Sequence, residues 1–120
     1  MTVHIISEDQ VFITIIHRLL INRFGKVKYT KSRSFNEVKL MSENSVYDVI
    51  LLDKFIAGTA PFELLSFLRN KKNILTPIFY FTINELDEVR ALEVGANKVI
   101  IKPFVPSDLM DEVQLLNSNA

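Results

Sequence analysis

Three short runs, residues 3–7 (VHIIS), 49–53 (VILLD) and 78–82 (IFYFT), are apolar at nearly every position and end on a polar side chain. A half-buried strand alternates apolar with polar residues. A run that is apolar throughout must be covered on both faces, which is the condition of a parallel sheet between layers of helices. A fourth run, Val99, Ile100 and Ile101, ends at Lys102, and a weaker one at residues 27–30 precedes a basic patch.

Helical spacing fills the gaps between the runs. Phe12, Ile15, Ile16, Leu19 and Leu20 recur at three- and four-residue intervals, with Gly25 as a stop. Ser34 followed by Glu37 reads as a capping box. Pro61 suits the first turn of a helix carrying Phe62, Leu65 and Leu68, closed by Arg69, Lys71 and Lys72, whose charge favours a helix C-terminus. Asn84 or Glu85 opens a helix that stops at Gly95, and Ser107 caps a last one carrying Leu109, Val113 and Leu116. Five βα units in succession predict an open parallel sheet with helices on both faces. No linker or repeat divides the chain. Its 120 residues suit one domain, since domains run to ~100–150 residues, and residues 1–120 are read as a single α/β domain.

Composition closes off several function classes. Fourteen basic residues balance fourteen acidic ones, so bulk charge gives no attraction to nucleic acid or to an anionic membrane. There is no cysteine, which excludes disulfides, thiolate metal sites and cysteine nucleophiles. The longest uncharged stretch, residues 73–84, is too short to span a bilayer, and the N-terminus lacks the pattern of a signal peptide. A cytoplasmic protein is the expectation. The polar residues 117–120 read either as a terminus or as the start of a linker to an output domain.

Chemistry in such a sheet collects at the carboxyl ends of its strands. Glu8 and Asp9 follow the first strand, Asp53 ends the third, Thr82 the fourth and Lys102 the fifth. Three carboxylates brought together repel one another unless a hard cation binds. Oxygen donors without cysteine favour Mg²⁺ over zinc. On this reading Asp9→Asn or Asp53→Asn relieves repulsion and raises stability. All three glycines are isolated, and the segment after the first strand is acidic, so a phosphate cradle for NAD, FMN or ATP is missing.

The acidic pair Glu8-Asp9, the acceptor segment Tyr47-Asp-Val-Ile-Leu-Leu-Asp53, the Gly58 loop before Phe62-Glu-Leu-Leu65, Thr82, and Gly95-Ala with Lys102-Pro-Phe104 stand in a specific order. With these parts the chain closely resembles the receiver domain of two-component response regulators, including the chemotaxis type. The resemblance implies a flavodoxin-like (βα)5 sheet of order 2-1-3-4-5 in a three-layer α/β/α sandwich. It implies a phosphorelay in which Asp53 takes a phosphoryl group from a histidine kinase or histidine phosphotransfer protein. Mg²⁺ would be held by Asp9, Asp53 and the backbone carbonyl of Phe55, with Glu8 helping through water. Thr82 and Lys102 would contact the phosphoryl group, the Lys102–Pro103 peptide would be cis, and an unknown downstream protein or linked output domain would read the result. No enzyme activity beyond the domain's own phosphorylation and dephosphorylation is implied.

Departures from the family pattern are specific. Val99 stands where receivers usually carry a switching Tyr or Phe, Ile83 follows the threonine where a small residue is usual, and Ala57 replaces a proline. The stretch from Thr82 to Lys102 is also shorter than in most members. They motivate an alternative, a phosphorylation-independent interaction module on the same fold. They also focus any phosphoryl response on residues 83–90, because the short, stiff Val99 cannot swing as a ring does. Other conspicuous residues have plainer readings. His4 is a packing or edge-bonding residue, His17 a solvated one, and the aromatic trio Phe79, Tyr80, Phe81 is core. Lys26, Lys28, Lys31 and Arg33 guard an exposed sheet edge.

Overall fold

The computed structural model describes residues 1–41 and 46–118, the last two of these by their backbone only. The chain runs β1 (Thr2–Ile6), α1 (Gln10–Phe24), β2 (Lys28–Ser32), α2 (Phe35–Lys39), β3 (Val49–Asp53) and α3 (Pro61–Ser66). A π-helical turn (Phe67–Lys71) prolongs α3, and β4 (Ile78–Thr82), α4 (Asp87–Val94), β5 (Lys98–Ile101) and α5 (Pro106–Ser118) follow. All strand pairs are parallel, in the order β2-β1-β3-β4-β5.

Side-chain alternation divides the core in two. Val3, Ile5, Val49, Leu51, Phe79 and Phe81 point to one face and pack with Phe12, Ile13, Ile16 and Leu20 of α1 and Leu109, Met110 and Val113 of α5. Ile6, Ile50, Leu52, Ile78 and Tyr80 point to the other face, against Val38, Leu64, Leu65, Leu68 and Ala91. Both faces of β3 and β4 are buried, which accounts for their unbroken apolar runs. The aromatic trio is therefore core, each member at most 2% exposed. No helix among the described residues is long and apolar enough to cross a membrane.

Several boundaries differ from those read in the sequence, each for a local reason. Strand β2 begins at Lys28 and extends to Ser32, because β1 pairs with it from Thr2↔Lys28 to Ile6↔Ser32. Helix α4 starts at Asp87, since residues 84–86 form a turn in which the Asn84 side chain accepts the Leu86 N–H. Helix α5 starts at Pro106, placing Ser107 in its first turn; proline at the first helical position needs no partner for an N–H it lacks. Ser34 does cap α2, but Glu37 reaches back to the Arg33 N–H.

Arg69 closes no helix by its charge alone. Its guanidinium donates to the carbonyls of Ile74, Thr76 and Gly95 at 2.8–3.0 Å and to Asn97 Oδ1 at 2.7 Å. Gly95 has φ +124°, and a Cβ there would meet Arg69 Cγ at 2.7 Å, so the turn after α4 requires glycine on both counts.

The edge strand β2 carries the exposed Lys28 and Lys31, as the basic patch implied. His4 lies beneath it, with Nδ1 2.6 Å from Thr30 Oγ1, Nε2 2.9 Å from Ser32 Oγ, and its ring 5.0 Å from that of Tyr47. Burial lowers its pKa to about 4, so the ring is neutral at pH 7. His17 is half-buried, not solvated as expected, because its ring packs on Tyr29 with centroids 3.9 Å apart.

Candidate functional site

The carboxyl ends of β1, β3, β4 and β5 meet at one edge of the sheet, and Asp53 lies at its centre. β3 runs fully buried up to and including Asp53, which is 0% exposed. A carboxylate so placed must be compensated. Lys102 Nζ lies 2.6 Å from Oδ1, and Ser7 Oγ donates to Oδ2 at 2.6 Å. The lysine is held in turn. Its backbone N–H donates to Thr82 O at 2.8 Å, and its ammonium sits 4.4 Å from the centre of the Phe12 ring and 5.3 Å from that of Phe55. The following Lys102–Pro103 peptide is cis.

The acidic pair takes another arrangement. Asp9 is the N-cap of α1, its Oδ1 accepting from the N–H groups of Val11 and Phe12, while its own N–H donates to Ser7 Oγ at 3.0 Å. Glu8 is exposed; its N–H donates to the Phe55 carbonyl at 2.8 Å, and its carbonyl accepts from Arg33. Among the described residues no three carboxylate or histidine side chains gather as a preformed cation site. The picture of three mutually repelling carboxylates therefore needs correction. Asp53 is paired with an ammonium and a hydroxyl, and Asp9 is occupied by a helix end. The expected gain in stability from Asp9→Asn or Asp53→Asn loses its basis.

Thr82 is fully buried at the end of β4, and its hydroxyl is bonded to the segment that leads into α4. It donates to Asp87 Oδ2 at 2.7 Å and accepts the Asn84 N–H at 3.1 Å. Lys54 Nζ reaches the same Asp87 oxygen at 3.0 Å. Burial acts to raise the Asp87 pKa, but the hydrogen bonds from Thr82 and Lys54 and the lysine charge outweigh it and hold it below its ordinary value.

Behind Thr82, Val99 is partly buried and pairs in register with Tyr80. The aromatic ring on this face is thus carried by β4, not β5. The Tyr80 hydroxyl is buried with no partner at full hydrogen-bond geometry; burial raises its pKa, the Asp87 and Asp53 charges add to the shift, and the neighbouring Thr82 hydroxyl opposes it.

Asp53 and Lys102 are thus brought into direct contact, Glu8, Asp9 and Phe55 line the neighbouring turns, and Thr82 stands apart on Asp87. Ser7, Lys54 and Asp87 escape a reading from sequence. The available signals were a hydroxyl closing an otherwise apolar strand, for Ser7, and an acidic residue opening the helix after Thr82, for Asp87.

The family model of the response regulator receiver domain matches residues 3–114, and the chain belongs to this family. It is 31% identical over 104 residues to the probable transcriptional regulator ycf27 of Cyanidium caldarium, covering 82% of this chain and 41% of that one. It is 36% identical over 77 residues to the transcriptional regulatory protein CiaR of Streptococcus pneumoniae, covering 62% of this chain and 34% of that one. The chain thus matches well under half the length of these relatives. Among solved structures, a Francisella response regulator receiver domain superposes with a TM-score of 0.84 at 23% identity, covering 98% of this chain and 97% of that one. The receiver domain of a Pseudomonas aeruginosa sensor histidine kinase, described with a magnesium ion in its active-site cleft, superposes with a TM-score of 0.79 at 22% identity, covering 96% and 95%. These likenesses establish the flavodoxin-like receiver fold, a three-layer sandwich of order 2-1-3-4-5.

Proposed function

We propose that Asp53 is the phosphoacceptor of a two-component phosphorelay. The observation that carries this reading is a carboxylate buried at the end of a central strand with Lys102 Nζ 2.6 Å away, on a chain of the receiver family. In the transfer, one Asp53 carboxylate oxygen bonds to the phosphorus of a phosphohistidine on a histidine kinase or phosphotransfer protein. The P–N bond breaks, and its electron pair stays on the donor imidazole, which takes up a proton. Asp53 must release a protein partner before that oxygen attacks, while Lys102 neutralises charge on the transferred oxygens.

The groups at this edge that could ligate a metal are carboxylates and a carbonyl, hard oxygens that suit Mg²⁺. The Asp9 and Asp53 carboxylates and the Phe55 carbonyl would hold the ion, with Glu8 acting through water. Bound there, it would supply charge neutralisation on the phosphoryl oxygens. The chain's own activity is confined to gaining and losing this phosphoryl group. We place it in the cytoplasm, with its output read by a further protein or a linked domain.

A small-molecule phosphodonor such as acetyl phosphate, with Mg²⁺, should add one phosphoryl mass to the intact protein and none to Asp53→Asn. Labelling that persists in Asp53→Asn moves the acceptor elsewhere. A second reading, a phosphorylation-independent interaction module, draws on the protein partners already occupying both Asp53 oxygens and the Thr82 hydroxyl. It requires that partner binding be unchanged by Asp53→Asn.

A further inference from the structure

We propose that Asp87 is a positioning residue that withholds the Thr82 hydroxyl from the phosphoryl site, so that phosphoryl binding at Asp53 must break the Thr82–Asp87 bond and free the first turn of α4. This rests on Asp53 being the acceptor.

A threonine hydroxyl has one proton to donate. Here that proton goes to Asp87 Oδ2 at 2.7 Å, and the oxygen accepts the Asn84 N–H at 3.1 Å. Both partners belong to the segment that leads into α4. A hydrogen bond to a carboxylate is among the stronger ones, so the hydroxyl is held firmly. Lys54 strengthens the hold by fixing the same oxygen at 3.0 Å. It directly follows the acceptor, and its backbone N–H is tied to Phe81 O at 2.8 Å, so the anchor stands on the sheet and Asp87 on the helix.

A bound phosphoryl group competes for the single proton. It shifts the balance only by its differential affinity for the turned hydroxyl. Once Thr82 turns, Asp87 keeps Lys54 alone and the Asn84 N–H loses its acceptor. The event is thereby transmitted to residues 83–90 with Val99 static. Ile83, Leu86 and Val89, 60%, 83% and 68% exposed, sit on the segment that is released.

The test is amide-resolved NMR titration with beryllofluoride and Mg²⁺, a phosphoryl mimic, on wild type, Asp53→Asn, Asp87→Ala, Asp87→Asn, Thr82→Ala and the Thr82→Ala/Asp87→Ala double variant. Asp87→Ala should bind on the order of tenfold more tightly, as when a charge-assisted hydrogen bond no longer competes. Asp87→Asn keeps an acceptor oxygen without the charge and should fall between; it also serves if the alanine variant does not fold. In the Thr82→Ala background the Asp87 substitution should change affinity less than about twofold. The free Asp87→Ala protein should show amides 83–90 displaced toward their mimic-bound positions. Equal tightening with and without the Thr82 hydroxyl would show Asp87 acting only as a repelling charge, and would overturn the proposal. No tightening in either variant, in a wild type that binds the mimic, overturns it while leaving the acceptor reading intact. A wild type that gives no mimic response beyond that of Asp53→Asn overturns both.

Discussion

Two carboxylates at the carboxyl edge of this sheet are furnished alike, each with one lysine and one hydroxyl. Asp53 holds Lys102 and Ser7; Asp87 holds Lys54 and Thr82. Their settings differ. Asp53 is sealed in, with partners on separate oxygens that come from the ends of β1 and β5. Asp87 stands on the first turn of a helix, its side chain 16% exposed and both partners on one oxygen. Sheet-mounted partners fix the first set, while the second can part by a movement of α4. On the proposed function, the first set would carry the chemistry and the second would report it. The difference in burial also sets the energies, because removing a partner from a sealed charge costs more than removing one from a pair that solvent still reaches.

Lys102→Met should therefore have the largest effect. It strands the Asp53 charge in the core and should lower unfolding free energy by about 3–5 kcal/mol, the usual cost of breaking a buried pair. Urea denaturation at pH 7 measures it. A loss under about 1 kcal/mol would erase the distinction between the two sets.

Acid titration should come next, and it must be separated from a third group. His4 has a folded pKa of about 4 against 6.5 when unfolded. In that window the unfolded chain binds more protons, so stability is complete above pH 6.5 and is lost as the pH falls towards 4. The total is about 3 kcal/mol. Replacing His4 with Gln should flatten this part of the curve. Asp87, whose pKa is lowered, adds stability that is complete above the unfolded carboxylate value and lost as the pH falls through its folded one. In the His4→Gln background, Asp87→Asn should remove that residual slope.

Ser7→Ala withdraws one donor from Asp53 but leaves Lys102 in place. The expected loss is about 1–2 kcal/mol, by the same denaturation. Lys54→Met acts on a half-buried pair whose ammonium still meets solvent and should cost less than Lys102→Met, about 1 kcal/mol. If it proves as damaging as Lys102→Met, the two sets are energetically equivalent.

The first set was nearly legible in the sequence and the second was not. Asp53 and Lys102 close runs that are apolar over several residues, and such runs announce both a strand and the place where it ends. Ser7 closes one too, but a hydroxyl there is equally at home facing backbone. Its bond to Asp53 spans 46 positions and depends on register that no local pattern encodes. The capture of Thr82 turns on where α4 begins. Helical spacing allowed Asn84 or Glu85; the turn at residues 84–86 moves the start to Asp87 and aims that side chain back at β4. Arg69 misleads for a similar reason. Its position suited a helix end, yet its forked donors reach across to Gly95 and Asn97.

That Arg69 clamp has a mechanical consequence. Helix α4 is eight residues, about 12 Å long at 1.5 Å per residue. Its far end is riveted, because Gly95 O takes two guanidinium bonds and Gly95 lies against the arginine stem. Its near end is fastened through Asp87. Ala91, buried in the core midway along the helix, is a second fixed point beside Gly95. On the proposed role of Asp87, opening the latch would leave the C-terminal half of the rod in place and let only its first turn, with Leu86, swing outward.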